Sequence, residues 1–264
     1  MFSNISSQIV RFAPVNFLIL KLVVKLIIDE GNSCIKLGIF DQCNIIYSDS
    51  ALIDDKNKII NIIKKYKINS AIISSVIKNG DKDLQEIIRY YVKKVSLFDH
   101  TLMLPFKNFY ETPKTLGKDR LAAVAGAQML FPDENLLVID AGTAITYDFL
   151  HEGKNYLGGN IAPGLEMRLK SLNAFTNRLP LVEINPEAEF PGKNTFDAIA
   201  SGAFTGMIFE IEGYREFCRQ KWGDFKTIIT GGDSLYFGKN LKKTIFVNQN
   251  LVLLGLNRIL EYNE

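Results

Sequence analysis

The chain has 264 residues, 47% of them apolar and 23% charged, a balance typical of a soluble globular protein that can bury a sizeable core. Its net charge of +2 is too small to indicate a nucleic-acid or membrane-surface protein. Three cysteines without paired spacing predict reduced thiols in a cytoplasmic protein, and the presence of only two histidines argues against a histidine-based metal centre.

Residues 1–24 lie before the first clear strand or at its start and show no regular pattern of their own. Lys21 and Lys25 interrupt the apolar run, and no small-residue cleavage site follows it, which argues against a signal peptide. The run is also too short and too charged to span a membrane. We expect residues 1–24 to be an N-terminal extension that is poorly ordered or that comes from an upstream start codon.

Two similar series of elements follow. The first predicts strands at 22–29, 35–40, 44–48, 71–76 and 95–98, with helices at 55–66 and 79–92. A helix at 121–130 lies between the series. The second predicts strands at 136–140, 144–150, 155–161, 226–230 and 244–247, with helices at 164–175, 195–220 and 250–262. Each series therefore begins with three strands and continues in a βββαβαβ pattern.

The opening strand of each series ends in the same kind of turn. Segment 28–33 reads IDEGNS and segment 139–144 reads IDAGTA, so an apolar strand, an aspartate, a glycine and a small polar residue recur. Two such turns in two similar halves indicate an internal duplication. No Pro- or Ser-rich linker separates the halves. We therefore expect an α/β fold whose two domains pack directly on each other, with a ligand-binding cleft between them.

The paired turns have the chemistry of a phosphate site. A carboxylate at the end of a strand can hold hydrated Mg²⁺, a glycine lets backbone N–H groups approach phosphate, and hydroxyl and amide side chains add donors. The residues are Asp29, Gly31, Asn32 and Ser33 in the first turn and Asp140, Gly142 and Thr143 in the second. A lone Asp-x-Gly sequence is more often only a tight turn, but the matched pair favours phosphate binding.

Segment 230–234, which reads TGGDS, joins a predicted buried strand to a helix. Its paired glycines, Gly231 and Gly232, would let a flat ring or a phosphate lie against the backbone. The alternative is an ordinary strand-to-helix turn in which Asp233 or Ser234 caps the helix. Neither a Walker motif nor a Gly-x-Gly-x-x-Gly sequence is present, which argues against P-loop, Rossmann and protein-kinase folds.

Segment 117–120, which reads GKDR, stands immediately before the helix at 121–130. Asp119 and Arg120 could simply belong to a capped helix terminus. In a cleft beside a γ-phosphate, Asp119 would instead accept the proton of a substrate hydroxyl, and Arg120 would hold an anionic substrate.

The five motifs at 29–36, 117–120, 140–146, 158–164 and 230–233 together resemble those of the type III pantothenate kinases, in the same order. The resemblance implies two ribonuclease-H-like domains, at 25–120 and 121–264, of the actin, heat-shock ATPase and sugar-kinase superfamily. It also implies ATP-dependent phosphorylation of pantothenate to 4′-phosphopantothenate, the first step of coenzyme A biosynthesis. A cytoplasmic enzyme without nucleic-acid or membrane partners is expected.

The resemblance also assigns site residues. It implies a general base at Asp119, a metal site at Asp140 for a monovalent cation (K⁺ or NH₄⁺), and Mg²⁺ near Asp29. The substrate-binding residues that it implies are Tyr110, Gly117, Lys118, Asp119, Arg120 and Thr176. The ATP-binding residues are Asp29, Gly31, Asn32, Ser33, Lys36, Gly142, Thr143, Gly231, Gly232 and Asp233. Thr176 would reach pantothenate from the second subunit of a homodimer whose sites are shared.

Departures from the family pattern are few. Lys118 replaces a common Ala, Ser33 replaces Thr, and Glu30 stands where a small or apolar residue is usual. An exposed Glu30 near a polyphosphate would weaken nucleotide binding unless its side chain points away or helps to hold a cation. The rival functions are another small-molecule kinase of the superfamily and a non-catalytic accessory or regulatory protein. Arg120 argues against a neutral sugar, and the intact turns argue against loss of catalysis.

Overall fold

The computed structural model describes residues 23–31, 34–52, 55–75, 80–241 and 245–264. Most of the expected N-terminal extension, residues 1–22, lies outside this set, as do Asn32 and Ser33 of the first turn.

The first half of the chain forms a five-stranded sheet in the order β3-β2-β1-β4-β5. Its strands are β1 Val24–Glu30, β2 Cys34–Asp41, β3 Asn44–Leu52, β4 Ile68–Ser75 and β5 Lys94–Leu97. Its helices are α1 Lys56–Lys65 and α2 Lys82–Tyr91. The pairs β1–β2 and β2–β3 are antiparallel, whereas β1–β4 and β4–β5 are parallel. The central strand β1 is therefore the one that carries Asp29.

A short strand, a helix and the second sheet follow. The connecting elements are β6 Lys107–Asn108, a 3₁₀ turn at Pro113–Thr115 and α3 Lys118–Leu130. The second sheet adds β7 Leu136–Ala141, β8 Ala144–His151, β9 Asn155–Pro163, β10 Lys226–Thr230 and β11 Phe246–Val247. The remaining helices are α4 Leu165–Ala174, α5 Thr195–Trp222, α6 Ser234–Asn240 and α7 Leu251–Asn263.

The second sheet has the order β11-β10-β7-β8-β9-β6. Apart from the extra edge strand β6, it repeats the first sheet: an antiparallel three-strand meander continues across its first strand into two parallel strands. The predicted duplication and the βββαβαβ order are therefore confirmed. Asp140 on β7 occupies the place that Asp29 has on β1, next to the last residue of the central strand.

Helices α3 and α7 pack against each other between the two sheets, α3 against β7 and α7 against β1. Small residues make this close approach possible. A Cβ on Gly255 would lie 1.7 Å from the carbonyl oxygen of Ala122, and a Cβ on Gly126 would lie 2.3 Å from that of Leu251. The helices and the inner faces of both sheets bury one continuous apolar core, so the two halves share packed side chains.

The outer face of each sheet has its own core. Against the first sheet, α1 buries Ile59, Ile62 and Ile63, the apolar stripe that its periodicity predicts. Against the second, α5 buries Phe204, Met207 and Ile211, among others. Helix α3 begins at Lys118 and continues past residue 120, so a domain boundary at 120 would fall in its first turn. The division into 25–120 and 121–264 stays a proposal.

Candidate active site

The carboxylates of both turns face one shared space between the sheets. Asp29 and Asp140 are partly exposed, although the strand residues before them are fully buried. The pKa of Asp29 is raised to about 7, chiefly by burial and also by the charges of Asp119 and Asp140, while Lys36 partly offsets the rise. Burial likewise raises the pKa of Asp140 to about 6, with Asp119 and Asp148 adding to the rise. The fold thus brings Asp29, Asp119 and Asp140 within electrostatic reach of one another.

The two turns have similar but unequal hairpin geometry. The N–H of Gly31 donates to the carbonyl of Cys34 at 3.0 Å, and the N–H of Gly142 donates to that of Ala144 at 3.1 Å. The first turn is one residue longer, because Glu30 pairs with Ile35 whereas Ala141 pairs with Ile145.

The extra residue changes which side chain lies opposite each aspartate. Lys36 on β2 pairs with Asp29, whereas Thr146 on β8 pairs with Asp140. Residues directly opposite each other on antiparallel strands share a face of the sheet. The carboxylate of the first turn therefore has the lysine side chain of Lys36 beside it, whereas the carboxylate of the second turn has the threonine side chain of Thr146.

Glu30 points away from this space. Its side chain is fully buried, and its carboxylate accepts the N–H of Asp81 at 3.1 and 3.2 Å, just before α2. Consecutive residues of a strand face opposite sides, so a cleft-facing Asp29 forces this orientation. The like-charge repulsion expected from an exposed Glu30 therefore does not arise, and its carboxylate instead stabilises the start of a helix.

The loop after β10 lies directly against the second turn. Gly231 has a φ of +94°, and a Cβ there would lie 2.3 Å from the carbonyl oxygen of Ala141 and 2.5 Å from Oδ1 of Asp140. No side chain fits at 231, whereas the space around Cα of Gly232 is open. The N–H of Asp233 donates to the carbonyl of Ala141 at 3.0 Å, which fixes the loop on the turn.

Asp233 occupies the N-cap position of α6, but its side chain makes no capping hydrogen bond. Burial raises the pKa of its carboxyl, and the charge of Glu166 raises it further. Ser234 bonds the carbonyl of Gly231 through its hydroxyl at 2.7 Å. The carboxyl of Asp233 therefore does not cap the helix.

The start of α3 positions Asp119. Gly117 is the N-cap, and a Cβ there would lie 2.5 Å from Oδ1 of Asp119, so a larger residue would displace that carboxylate. The carboxylate accepts the N–H of Arg120 at 2.9 Å, and the positive end of the helix dipole stabilises its charge. Lys118 is the first residue of the helix and is partly exposed.

Arg120 is held from behind by two residues that the sequence analysis did not identify. Nε donates to Oδ1 and Oδ2 of Asp148 at 3.0 and 3.2 Å, and Nη2 donates to Oδ1 at 2.7 Å. The hydroxyl of Tyr156 donates to the same Oδ1 at 2.7 Å. Asp148 is 1% exposed and Arg120 5%, so this is a buried ion pair. The guanidinium carbon lies 5.9 Å from the ring centroid of Tyr110.

A cavity of about 950 Å³ lies beside this pair. One end is lined by Tyr110, Gly158, Gly159 and Asn160, and the other by the aromatic residues Phe149, Tyr214, Phe217 and Trp222. A Cβ on Gly159 would lie 2.7 Å from Nη2 of Arg120, so the glycine gives the guanidinium its place. The structure thus brings Tyr110 and Arg120 together, and it packs Trp222 against Phe149 at a centroid distance of 6.0 Å.

Two other expected site residues, Thr143 and Thr176, do not line this cavity. Thr143 is exposed on the second turn, and its carbonyl accepts the N–H of Gly164 at 3.1 Å, so the end of β9 borders the cleft. The hydroxyl of Thr176 is engaged in its own loop, where it donates to the carbonyl of Leu172 at 2.6 Å and accepts the N–H of Leu179 at 3.3 Å.

The donor set fits a divalent cation held mainly by water and phosphate. Asp29 and Asp140 have raised pKa values partly because carboxylates repel one another, and a bound cation would relieve that repulsion. Within the described ranges, no three His, Cys, Asp or Glu side chains cluster closely enough to form a metal cage. Mg²⁺ characteristically uses one or two carboxylates together with waters and phosphate oxygens. No helix in these ranges is long and apolar enough to cross a membrane.

Comparison with known proteins places this chain in a family. The sequence model of the type III pantothenate kinases matches residues 25–216. A type III pantothenate kinase of Bacteroides fragilis is 43% identical over 243 residues, covering 91% of this chain and 98% of the relative. One from Flavobacterium johnsoniae is 39% identical over 243 residues, covering 90% and 97%.

Solved structures agree in fold. A Campylobacter jejuni protein assigned to the Baf family of transcriptional activators has a TM-score of 0.57 at 23% identity, covering 90% of this chain and 98% of that one. A Listeria monocytogenes protein described as an N-acetylmannosamine kinase has a TM-score of 0.57 at 15% identity, covering 92% and 100%. With two paired acidic turns, a Gly-Lys-Asp-Arg helix start and this degree of identity over nine-tenths of its length, the chain belongs to the type III pantothenate kinase family.

Proposed function

We propose that the protein transfers the γ-phosphoryl group of ATP to the primary hydroxyl of pantothenate, giving 4′-phosphopantothenate, the first step of coenzyme A biosynthesis. The observation that carries this function is the position of Asp119. Its carboxylate lies at the start of α3, within electrostatic reach of both Asp-x-Gly turns. The neighbouring Arg120 lies next to Tyr110 and Gly159, which line a cavity of about 950 Å³.

Asp119 acts as general base in this proposal. It accepts the proton of the pantothenate hydroxyl as that oxygen attacks the γ-phosphorus. Gly117 leaves room for its carboxylate, and the carboxylate lies in the first turn of α3, where it can accept a proton from a bound hydroxyl. Arg120 binds the carboxylate at the other end of pantothenate, and Tyr110 packs beside the guanidinium.

The two turns and the loop after β10 bind ATP. Lys36 lies opposite Asp29 and neutralises phosphate charge, and the glycines let the backbone of each turn approach the phosphates. The flat, side-chain-free surface at Gly231 and Gly232 accepts the nucleoside, with Asp233 at its edge. Asn32, Ser33, Gly142 and Thr143 complete the phosphate site in this proposal. Most of the rate acceleration comes from positioning and charge neutralisation.

Asp29 would hold Mg²⁺ through water, and Asp140 would hold a monovalent cation, K⁺ or NH₄⁺. Mg²⁺ supplies charge neutralisation at the phosphate oxygens when bound. The carboxyl Oδ1 of Asp140 and the carbonyl oxygen of Ala141 both border the position of Gly231, which places two oxygen donors side by side.

The same proposal includes a homodimer in the cytoplasm. Thr176 would complete the pantothenate site of the partner subunit. Its exposed position in the loop after α4 supports a contact outside its own chain.

An ATP-consumption assay tests the proposed function. Pantothenate and a few sugars are offered to the purified protein with Mg²⁺, with and without K⁺. We expect ATP consumption with pantothenate but not with the sugars, and we expect K⁺ to increase its rate. Turnover with a sugar but not with pantothenate would indicate a different kinase of the superfamily. No turnover with any acceptor would indicate an accessory protein.

A further inference from the structure

Hydrogen bonds fix the orientation of the Arg120 guanidinium. Its Nε and Nη2 both donate to the carboxylate of Asp148, which the hydroxyl of Tyr156 holds from a third direction. Nη1 makes no hydrogen bond to the part of the chain that the structure describes. A guanidinium gripped in this way presents one fixed edge, and the planar fork of arginine makes that edge directional.

Asp148 and Tyr156 belong to other elements than the two residues proposed to act on the acceptor. They lie on β8 and β9, whereas Asp119 and Arg120 lie at the start of α3. The carboxylate of Asp148 accepts hydrogen bonds from both Arg120 and Tyr156. A buried ion pair of this kind is weak support for stability by itself, because desolvation offsets much of the attraction, so another reason for keeping it is required.

Charge provides that reason. Arg120 and Asp148 together are close to neutral, so the pair does not attract every anion that enters the cavity. A carboxylate gains from the pair only when it meets the unused edge of the guanidinium in hydrogen-bonding geometry. Gly158 and Gly159 keep the wall free of side chains on this side, since a Cβ on Gly159 would lie 2.7 Å from Nη2 and 2.7 Å from Oδ1 of Asp148.

We infer that Asp148 and Tyr156 are positioning residues that set the acceptor specificity of this enzyme, by holding Arg120 so that only an acceptor with a correctly placed carboxylate is bound. The inference rests on the proposed function, because it needs Arg120 to meet the carboxylate of pantothenate. It adds two residues to the acceptor site that do not touch the acceptor themselves.

The test compares pantothenate with pantothenol, in which a hydroxymethyl group replaces the carboxylate. The variants are Asp148→Asn and Tyr156→Phe. Tyr47→Phe is the matched control, because Tyr47 also donates its hydroxyl to an aspartate, Asp49, at 2.7 Å, but on the first sheet. For each protein, KM for pantothenate, KM for ATP and the ratio of kcat/KM for pantothenate to that for pantothenol are measured.

We expect Asp148→Asn to raise KM for pantothenate by roughly 10- to 100-fold, the same order as the loss caused by removing a partner that orients a metal ligand. The preference for pantothenate over pantothenol should fall by a similar factor, and KM for ATP should stay within about twofold. Tyr156→Phe should shift the same two quantities by roughly three- to tenfold, since it removes one hydrogen bond to a charged group. Tyr47→Phe should shift neither.

A merely structural role would lower kcat or thermal stability without changing the preference between the two acceptors. An unchanged preference in both variants would overturn the inference. If Asp148→Asn does not fold, Tyr156→Phe decides alone, since it keeps the ion pair. A wild-type protein that does not phosphorylate pantothenate contradicts the proposed function first, and this inference with it. A wild type that prefers pantothenate, with variants of unaltered preference, contradicts the inference only.

Discussion

The negative charge of Asp29 destabilises the ligand-free protein, so a substitution that removes this charge should make the protein more stable. Burial and two neighbouring carboxylates raise its pKa from 3.8 to about 7. A carboxyl whose pKa is raised on folding binds more protons in the folded state than in the unfolded state. Its contribution to stability is therefore lost as pH rises from about 4 to about 7. Asp29→Asn removes the charge and keeps the shape.

The magnitude follows from the size of the shift. At 1.36 kcal/mol for each pKa unit, a rise from 3.8 to about 7 has an upper limit of roughly 4 kcal/mol. Asp29 is partly exposed and Lys36 lies opposite it, so solvent and counter-charge reduce this figure. We expect Asp29→Asn to raise the free energy of unfolding by about 1–2 kcal/mol at pH 8 and by much less at pH 5. Catalysis should be strongly impaired in the same variant.

Urea unfolding at pH 5 and pH 8, without nucleotide or divalent cation, measures this difference. Asp49→Asn is the control of opposite sign, because hydrogen bonds from Lys58 and Tyr47 lower the pKa of Asp49 to about 2. That control should lose about the same stability at pH 5 as at pH 8, because the loss shrinks only as pH falls from about 4 towards 2. An Asp29→Asn variant that is less stable than wild type at pH 8, or whose pH dependence equals that of wild type, would refute the reasoning.

Three further substitutions test separate parts of the structure. Glu30→Gln should lower the free energy of unfolding by about 1–3 kcal/mol, because it weakens the buried hydrogen bond that the N–H of Asp81 donates to Glu30. The same variant should leave KM for ATP unchanged, and a lower KM for ATP would mean that Glu30 faces the nucleotide. Gly255→Ala should destabilise by about 3 kcal/mol or more in calorimetry, because its Cβ overlaps the carbonyl of Ala122; wild-type stability would show that the helices can separate at no cost. Gly231→Ala should raise KM for ATP by roughly tenfold or more through its strained φ and its clash with Asp140; an unchanged KM would remove the loop from the nucleotide site.

The order of elements could be predicted because local pattern decides it. The apolar runs of the central strands, the periodicity of α1 and the repeated Asp-x-Gly turns are all encoded within short windows. Strand ends were less certain: β3 was predicted to end at 48 but continues to Leu52, since its polar residues alternate on an exposed edge. The side of the sheet to which Glu30 points follows from strand alternation once Asp29 is known to face the cleft.

The hydrogen bonds by which Asp148 and Tyr156 fix Arg120 could not be predicted from the sequence. Asp148 lies on β8 and Tyr156 on β9, and nothing in their immediate sequence distinguishes a buried partner of a guanidinium from an ordinary strand residue. The approach of α3 to α7 is likewise a tertiary event, visible in the sequence only as small residues such as Gly126 and Gly255. Contacts between distant segments were therefore the part that the sequence alone left undetermined.

Asp119 carries the central claim, and its turnover number tests it most directly. Asp119→Asn keeps the size of the side chain at the start of α3 but removes the base. Single-turnover and steady-state phosphorylation of pantothenate should show kcat lower by roughly 10²- to 10⁴-fold, with KM for ATP within a few-fold of wild type. A variant that folds and retains near-full turnover would contradict the account.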